Sequence, residues 1–189
     1  MTVHVTQAAE GLPRRPFTIA DVERMVEIGV IGRDERFELI GGEIVPMSPK
    51  GIRHERLKQW LATWLYTNLT PDYQVIPETT FRLSDDTYLE PDFIVYGKDT
   101  DLADLRGDTC LLAIEIADSS LAYDLGHKPA IYSGFGVREM WVIDVRNLQT
   151  HVHRDPTPTG YRTVFERSPE DRLTALAIPG HVLMLAGYA

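Results

Sequence analysis

The sequence predicts an α/β (α+β) fold, a mixed β-sheet flanked by helices, on three observations. "CLLAIEIA" (110–117) and "REMWVIDV" (138–145) are short apolar runs of buried-strand type, separated by a helical segment from about Ser120 to Tyr132. "RFELIGGEIVPM" sets two apolar-rich runs about Gly41-Gly42, the signal of a tight hairpin. "IRHERLKQWLATWLYTNL" carries Leu57, Trp60, Leu61, Trp64, Leu65 and Leu69 at helical spacing, a broad stripe suited to cover one face of the sheet.

The elements follow in order. "MTVHVTQAAEGLPRR" has no period, so residues 1–16 are expected to form a flexible segment, with one domain over 17–189. A first helix starts at the N-cap Thr18, places Glu23 in an early turn, runs through Val22, Met25 and Val26, and stops at Gly29. Across the Gly41-Gly42 turn Ile40 pairs with Glu43 and Glu38 with Val45, which gives Glu38 the sheet face of Ile40. In the long helix His54 stands three residues before Leu57 and seven before Leu61, on the apolar stripe, whereas Arg56, Lys58 and Gln59 point elsewhere. "ETTFRL", "SDD" and "TYLEPDFIVY" read as strand, turn, strand, with Pro91 at a strand start or bulge. Gly126 and Pro129 weaken the helix over 120–132: it kinks near Lys128, or begins afresh with Pro129 at its first position. "QTHVHR" and "YRTVFER" alternate as antiparallel strands about the turn "DPTPTG"; His151 and His153, with no third ligand evident, read as surface residues.

Composition bounds the function. The chain has 189 residues, 43% hydrophobic and 25% charged, within the ordinary range of a globular protein. Cys110 is the single cysteine, so no intrachain disulfide forms, and with no apolar leader the reading expects a cytoplasmic protein. The longest uncharged stretch, "LTALAIPGHVLMLAGYA", is broken by Pro179 and Gly180 and is not expected to span a membrane. The net charge of −9 weighs against a nucleic-acid partner, which is held mainly through Lys and Arg, unless a local basic face or divalent ions offset it.

Chemistry enters at Glu115, a carboxylate inside an apolar strand. Buried and unpaired, it would cost several kcal/mol, so it calls for a partner, a proton or a metal. Asp92 opens "DFIVY" twenty-three residues earlier. If the two strands are neighbours, the carboxylates converge, and with the backbone carbonyl of Ile116 they form an oxygen site suited to Mg²⁺ or Mn²⁺. A cation beside them would complete a site for phosphodiester hydrolysis. Ala117, two positions after Glu115, cannot serve. Lys128 is the nearest lysine, and Asp124, Lys128 and Tyr132 share a helical face if the helix is continuous; a break there makes His127 a rival. A structural ion pair of Glu115 with Lys128 or Arg138 is the plainer alternative.

At these residues the chain resembles the Uma family of restriction endonucleases, a branch of the PD-(D/E)xK nuclease superfamily. The landmarks are "RFELIGGEIVPMSP", "RHERL", "LEPDFIVY", "LLAIEIADSS" and "DLGHKPAIYSGFGVREMWVIDV", in the family's order, over roughly Phe17 to Tyr161. The resemblance implies a restriction-endonuclease-like core, Asp92 and Glu115 as metal ligands, and a motif lysine moved from position 117 to the helix as Lys128. It also implies that Glu38 and His54 sit near the site. "IADSSL" departs from the family's usual run after the Glu, as do Gly126 and Pro129 before the final Tyr. The expected activity is that of a Mg-dependent endodeoxyribonuclease acting on DNA, with a homodimer as the expected assembly. The alternative is a non-catalytic interaction or assembly module on the same fold, which the acidic balance and Ala117 favour.

Overall fold

The computed structural model describes residues 11–188, so the first ten residues of the segment expected to be flexible lie outside it. In chain order the elements are α1 (Ile19–Glu27), β1 (Phe37–Ile40), β2 (Glu43–Pro46), α2 (Ile52–Asn68), β3 (Tyr73–Pro77), β4 (Phe81–Ser84) and β5 (Thr87–Leu89). Then come β6 (Phe93–Gly97), β7 (Cys110–Ala117), α3 (Leu121–Gly126), α4 (Lys128–Gly134), β8 (Glu139–Asp144), β9 (Thr150–Thr157) and β10 (Gly160–Arg167). The described residues group into two compact units: 11–47 with Arg82–Glu90, and Ser48–Phe81 with 91–188.

The smaller unit rests on a capped helix and a hairpin. Thr18 Oγ1 accepts from the Asp21 amide at 3.1 Å while Asp21 Oδ2 accepts from the Thr18 amide at 2.9 Å, a capping box. The β1–β2 register is the expected one, Ile40 opposite Glu43 and Glu38 opposite Val45. Gly41 and Gly42 both take positive φ, +57° and +78°, which a two-residue turn of this twist requires. Ile19, Val22, Ile31, Phe37, Leu39 and Tyr88 form its core. The strands run β2-β1-β5-β4.

The larger unit is a six-stranded sheet in the order β10-β9-β8-β7-β6-β3. The β7–β8 pair is parallel, and the other pairs are antiparallel. That parallel pair needs a crossover, which α3 and α4 supply. Phe93, Val95, Leu112, Ile114 and Ile116 belong to one core with Leu57, Leu61 and Leu65 of α2; Trp60 and Trp64 are partly buried against it. Strand alternation therefore turns Ala113, Glu115 and Ala117 to the opposite face.

The structure corrects two sequence readings and decides between the two alternatives left open for a third. "TYLEPDFIVY" is two strands: β5 joins one sheet and β6 the other, with the break at Glu90-Pro91, where proline cannot donate to a ladder. The helix expected over 120–132 divides at His127, and α4 begins afresh with Pro129 in its first turn. His153, read as a surface residue, is buried on β9 between Met140 and Val164. The strand β3, "YQVIP", carries no clear alternation that would mark it in the sequence.

Candidate functional site

Asp92 is placed by the proline break and by the sheet. Phe93 lies opposite Ile114 in the β6–β7 ladder, which brings Asp92, one residue before β6, beside Glu115 and Ile116 of β7. Asp92 Oδ2 accepts from the Ile116 amide at 2.8 Å, so its side chain continues the ladder where the main chain of β6 has ended. The sequence reading assigned the Ile116 carbonyl to this site; the contact observed is through the amide.

Two groups hold Asp92 directly, and three more close a ring behind them. Lys50 Nζ donates to Asp92 Oδ1 at 2.8 Å, and His54 Nε2 lies 3.1 Å from Asp92 Oδ2. Lys50 precedes the α2 N-cap Gly51, where an added Cβ would stand 2.9 Å from Asp118 Oδ2; the glycine lets the chain pass that carboxylate. Lys50 Nζ also holds Glu78 Oε1 at 2.6 Å, and Glu78 in turn binds Lys58 Nζ at 3.0 Å. Lys58 reaches Glu55 Oε1 at 2.9 Å, and Glu55 Oε1 lies 3.2 Å from His54 Nδ1. Asp92, Lys50, Glu78, Lys58, Glu55 and His54 thus form a closed ring. Burial alone pushes the Asp92 carboxyl up; the His54 ring and the Lys50 ammonium outweigh it and hold the group at about 2.

Glu115 has its own partners on the opposite side of the pair. Tyr132 Oη donates to Glu115 Oε1 at 2.6 Å, and Lys128 Nζ lies 2.9 Å from the same oxygen. Lys128 also reaches Asp124 Oδ1 at 3.3 Å, so the break between α3 and α4 leaves these two side chains together. Asp124 accepts from Ser120 Oγ at 2.6 Å. Burial raises the Asp124 carboxyl, and Lys128 opposes that rise. His127 is exposed at the helix junction, its ring against Tyr123, whereas Lys128 is buried at Glu115.

The larger unit therefore brings together Asp92, Glu115, Lys128, Tyr132, Asp124 and His54, all buried. Glu38 is buried in the smaller unit, where its Oε1 accepts from the Glu90 amide at 3.1 Å. Lys50, Lys58 and Glu78 were missed. Glu78 gives no sequence signal, because it is a non-glycine residue at φ +47° and its place is set by tertiary contacts.

The donor chemistry decides what ion fits. Two carboxylates from adjacent strand positions are hard oxygen ligands, and Mg²⁺ commonly binds to one or two carboxylates while water and substrate phosphate fill its shell. Among the described residues no group of three His, Cys, Asp or Glu side chains stands in a metal-holding arrangement. The pair fits a lightly held, two-carboxylate cation and does not fit a closed structural site.

Comparison with known proteins agrees with this architecture. The Uma2 family model, described as "Putative restriction endonuclease", matches residues 19–186. A solved structure titled as a "putative nuclease belonging to DUF820" from Anabaena variabilis ATCC 29413 is similar with a TM-score of 0.71 at 14% identity, covering 92% of this chain and 97% of that one. At that identity the likeness is one of fold, and it bears out the mixed sheet flanked by helices. No curated protein matches. No helix among the described residues is long and apolar enough to cross a membrane.

Proposed function

The chain belongs to the Uma2 family, and from that premise we propose that it is a metal-dependent nuclease hydrolysing DNA phosphodiester bonds at the Asp92–Glu115 pair. One observation carries the reading: Asp92, just before β6, accepts from the Ile116 amide of β7 at 2.8 Å beside Glu115, and Lys128 Nζ lies 2.9 Å from Glu115. Like charges side by side destabilise a sheet, and such a pair is tolerated where cations gather.

In this reading Asp92, Glu115 and the Ile116 carbonyl hold Mg²⁺ or Mn²⁺. Bound there, the ion would lower the pKa of a water and neutralise charge on the phosphate. Lys128, leaving Glu115 for the reacting group, stabilises the oxyanion that develops on phosphorus. Tyr132 keeps Glu115 oriented through its hydroxyl. His54 and Lys50 keep Asp92 ionised and aimed.

The test is supercoiled plasmid incubated with Mg²⁺ or Mn²⁺ and wild type, D92N, E115Q or K128M. Wild type is expected to nick or linearise the DNA, and each variant to lose on the order of 10²-fold or more in rate. Equal cleavage by wild type and E115Q, with both folded by circular dichroism, sinks the reading. A second reading has its own support: each carboxylate already holds a lysine, at 2.8 Å and 2.9 Å, as in a purely structural network. It describes a non-catalytic assembly module, and predicts no cleavage by wild type and a stable oligomer in sedimentation.

A further inference from the structure

A groove of about 430 Å³ lies beside the ring of charges, lined by Glu55, Arg56, Lys58, Gln59, Pro77 and Glu78 among others. That volume is within the range of ligand clefts. Phe93, the residue next to Asp92, is among the residues that line it. Lys50 makes the connection directly, with one ammonium on Asp92 at 2.8 Å and on Glu78 at 2.6 Å.

Glu78 is the unusual member. Its φ of +47° lies in the left-handed region, where a residue with a Cβ is disfavoured by roughly 1–2 kcal/mol. Its amide is tied to the Asp92 carbonyl at 3.2 Å. The strained backbone presents one carboxylate oxygen to two ammonium groups at once, Lys50 at 2.6 Å and Lys58 at 3.0 Å. Both lysine side chains are largely buried, 12% and 16% exposed, while the Glu78 side chain is 35% exposed. Glu78, with Glu55 at 42% exposed, therefore stands at the open side of the ring and the lysines stand behind them. Arg56 adds a further positive group to the same groove.

We propose that this groove seats a backbone phosphate of a nucleic-acid strand, with the Glu78 carboxylate occupying the phosphate's place until the strand arrives. A phosphate oxygen entering there exchanges one anion for another on Lys50 and Lys58, so neither ammonium is left buried and unpaired. Exposed Glu78 swings to water, which costs less than moving a buried acid. The local exchange also accounts for how a chain of net charge −9 can take a polyanion: the cations are masked by acids that give way. The inference rests on the nuclease reading for its substrate class, and its own evidence is the groove and the ring.

The test is fluorescence anisotropy of a labelled DNA oligonucleotide in EDTA, so that binding is read without cleavage. E78Q keeps the shape and removes the competing charge; it is expected to bind about five- to tenfold tighter than wild type. K58M, which keeps the aliphatic stem, is expected to bind more weakly and to lower the slope of log affinity against log salt by about one. Thermal melts check that both variants fold. Unchanged affinity in E78Q together with an unchanged salt slope in K58M overturns the proposal, as does equal displacement of DNA by poly-glutamate at matched charge. Loss of plasmid cleavage in wild type would overturn the nuclease reading; an E78Q response in binding would still stand apart from it.

Discussion

Glu115 is a carboxylate in a strand of otherwise apolar side chains, and it is held by the Tyr132 hydroxyl at 2.6 Å and by the Lys128 ammonium at 2.9 Å. Removing either partner while leaving the charge buried is costly. Y132F keeps the ring stacked near Phe81 and loses only the hydroxyl, so it should lower stability by about 1.5–3 kcal/mol in urea denaturation at neutral pH. K128M should cost more, about 3–5 kcal/mol, because it strands a buried charge. Adding E115Q to K128M should return part of that loss. Strictly additive losses in this double-mutant cycle would mean that the two side chains do not share their charge. The glutamate itself was legible in the sequence, as was the need for a cation. The sequence left Lys128 and Arg138 both open as that cation, and packing of α4 decided it.

At the scale of elements, the β1–β2 hairpin shows how a local signal becomes a tertiary constraint. Gly41 and Gly42 both need positive φ, but only Gly42 is crowded: a Cβ there would stand 2.3 Å from Pro16 Cβ, while one on Gly41 meets nothing within 4 Å. G41A should therefore cost about 1–2 kcal/mol from backbone strain alone. G42A should cost clearly more, since the chain at Pro16 and Phe17 must move as well. Equal midpoint shifts for the two in urea would show that the Pro16 contact carries no weight. The turn and its register could be read from the residues, because hairpin geometry depends on a few adjacent φ angles. The break of "TYLEPDFIVY" could not, because Pro91 marks a discontinuity without saying that the two halves go to different sheets. The division of the helix at His127 lies between these cases: Pro129 announced it, and the Asp124–Lys128 contact survived it at 3.3 Å.

For the molecule as a whole, His153 ties global stability to pH. Burial on β9, and to a lesser degree the neighbouring His151, pushes its pKa down to about 4, and neither ring nitrogen has a hydrogen-bond partner among the described residues. The unfolded chain takes up this proton near pH 6.5 and the folded chain only near 4, so between those values the unfolded state binds more protons. Stability is accordingly intact above pH 6.5 and falls as the pH drops toward 4, by roughly 2–3 kcal/mol from this residue. H153F, which keeps a ring against Tyr161, should flatten that part of the stability profile in urea melts taken from pH 7 to 4. An unchanged slope would assign the loss to other groups. The histidine was read as exposed because strand alternation gives a face without saying whether the face is covered, and here it is.

The sequence by itself determined the fold class, the hairpin register and the α2 face that carries His54. Each depends on local propensity or on periodicity, which adjacent residues settle among themselves. Tertiary structure decided which strands are neighbours, and so that Asp92 comes to stand beside Glu115. It also decided the ring through Lys50, Glu78 and Lys58, whose members come from the start of α2, the end of β3 and the turn before β6. Charges so far apart along the chain meet only after the sheet has closed, because electrostatic pairing in a half-buried place depends on position in space and on burial, and neither is written in spacing along the sequence.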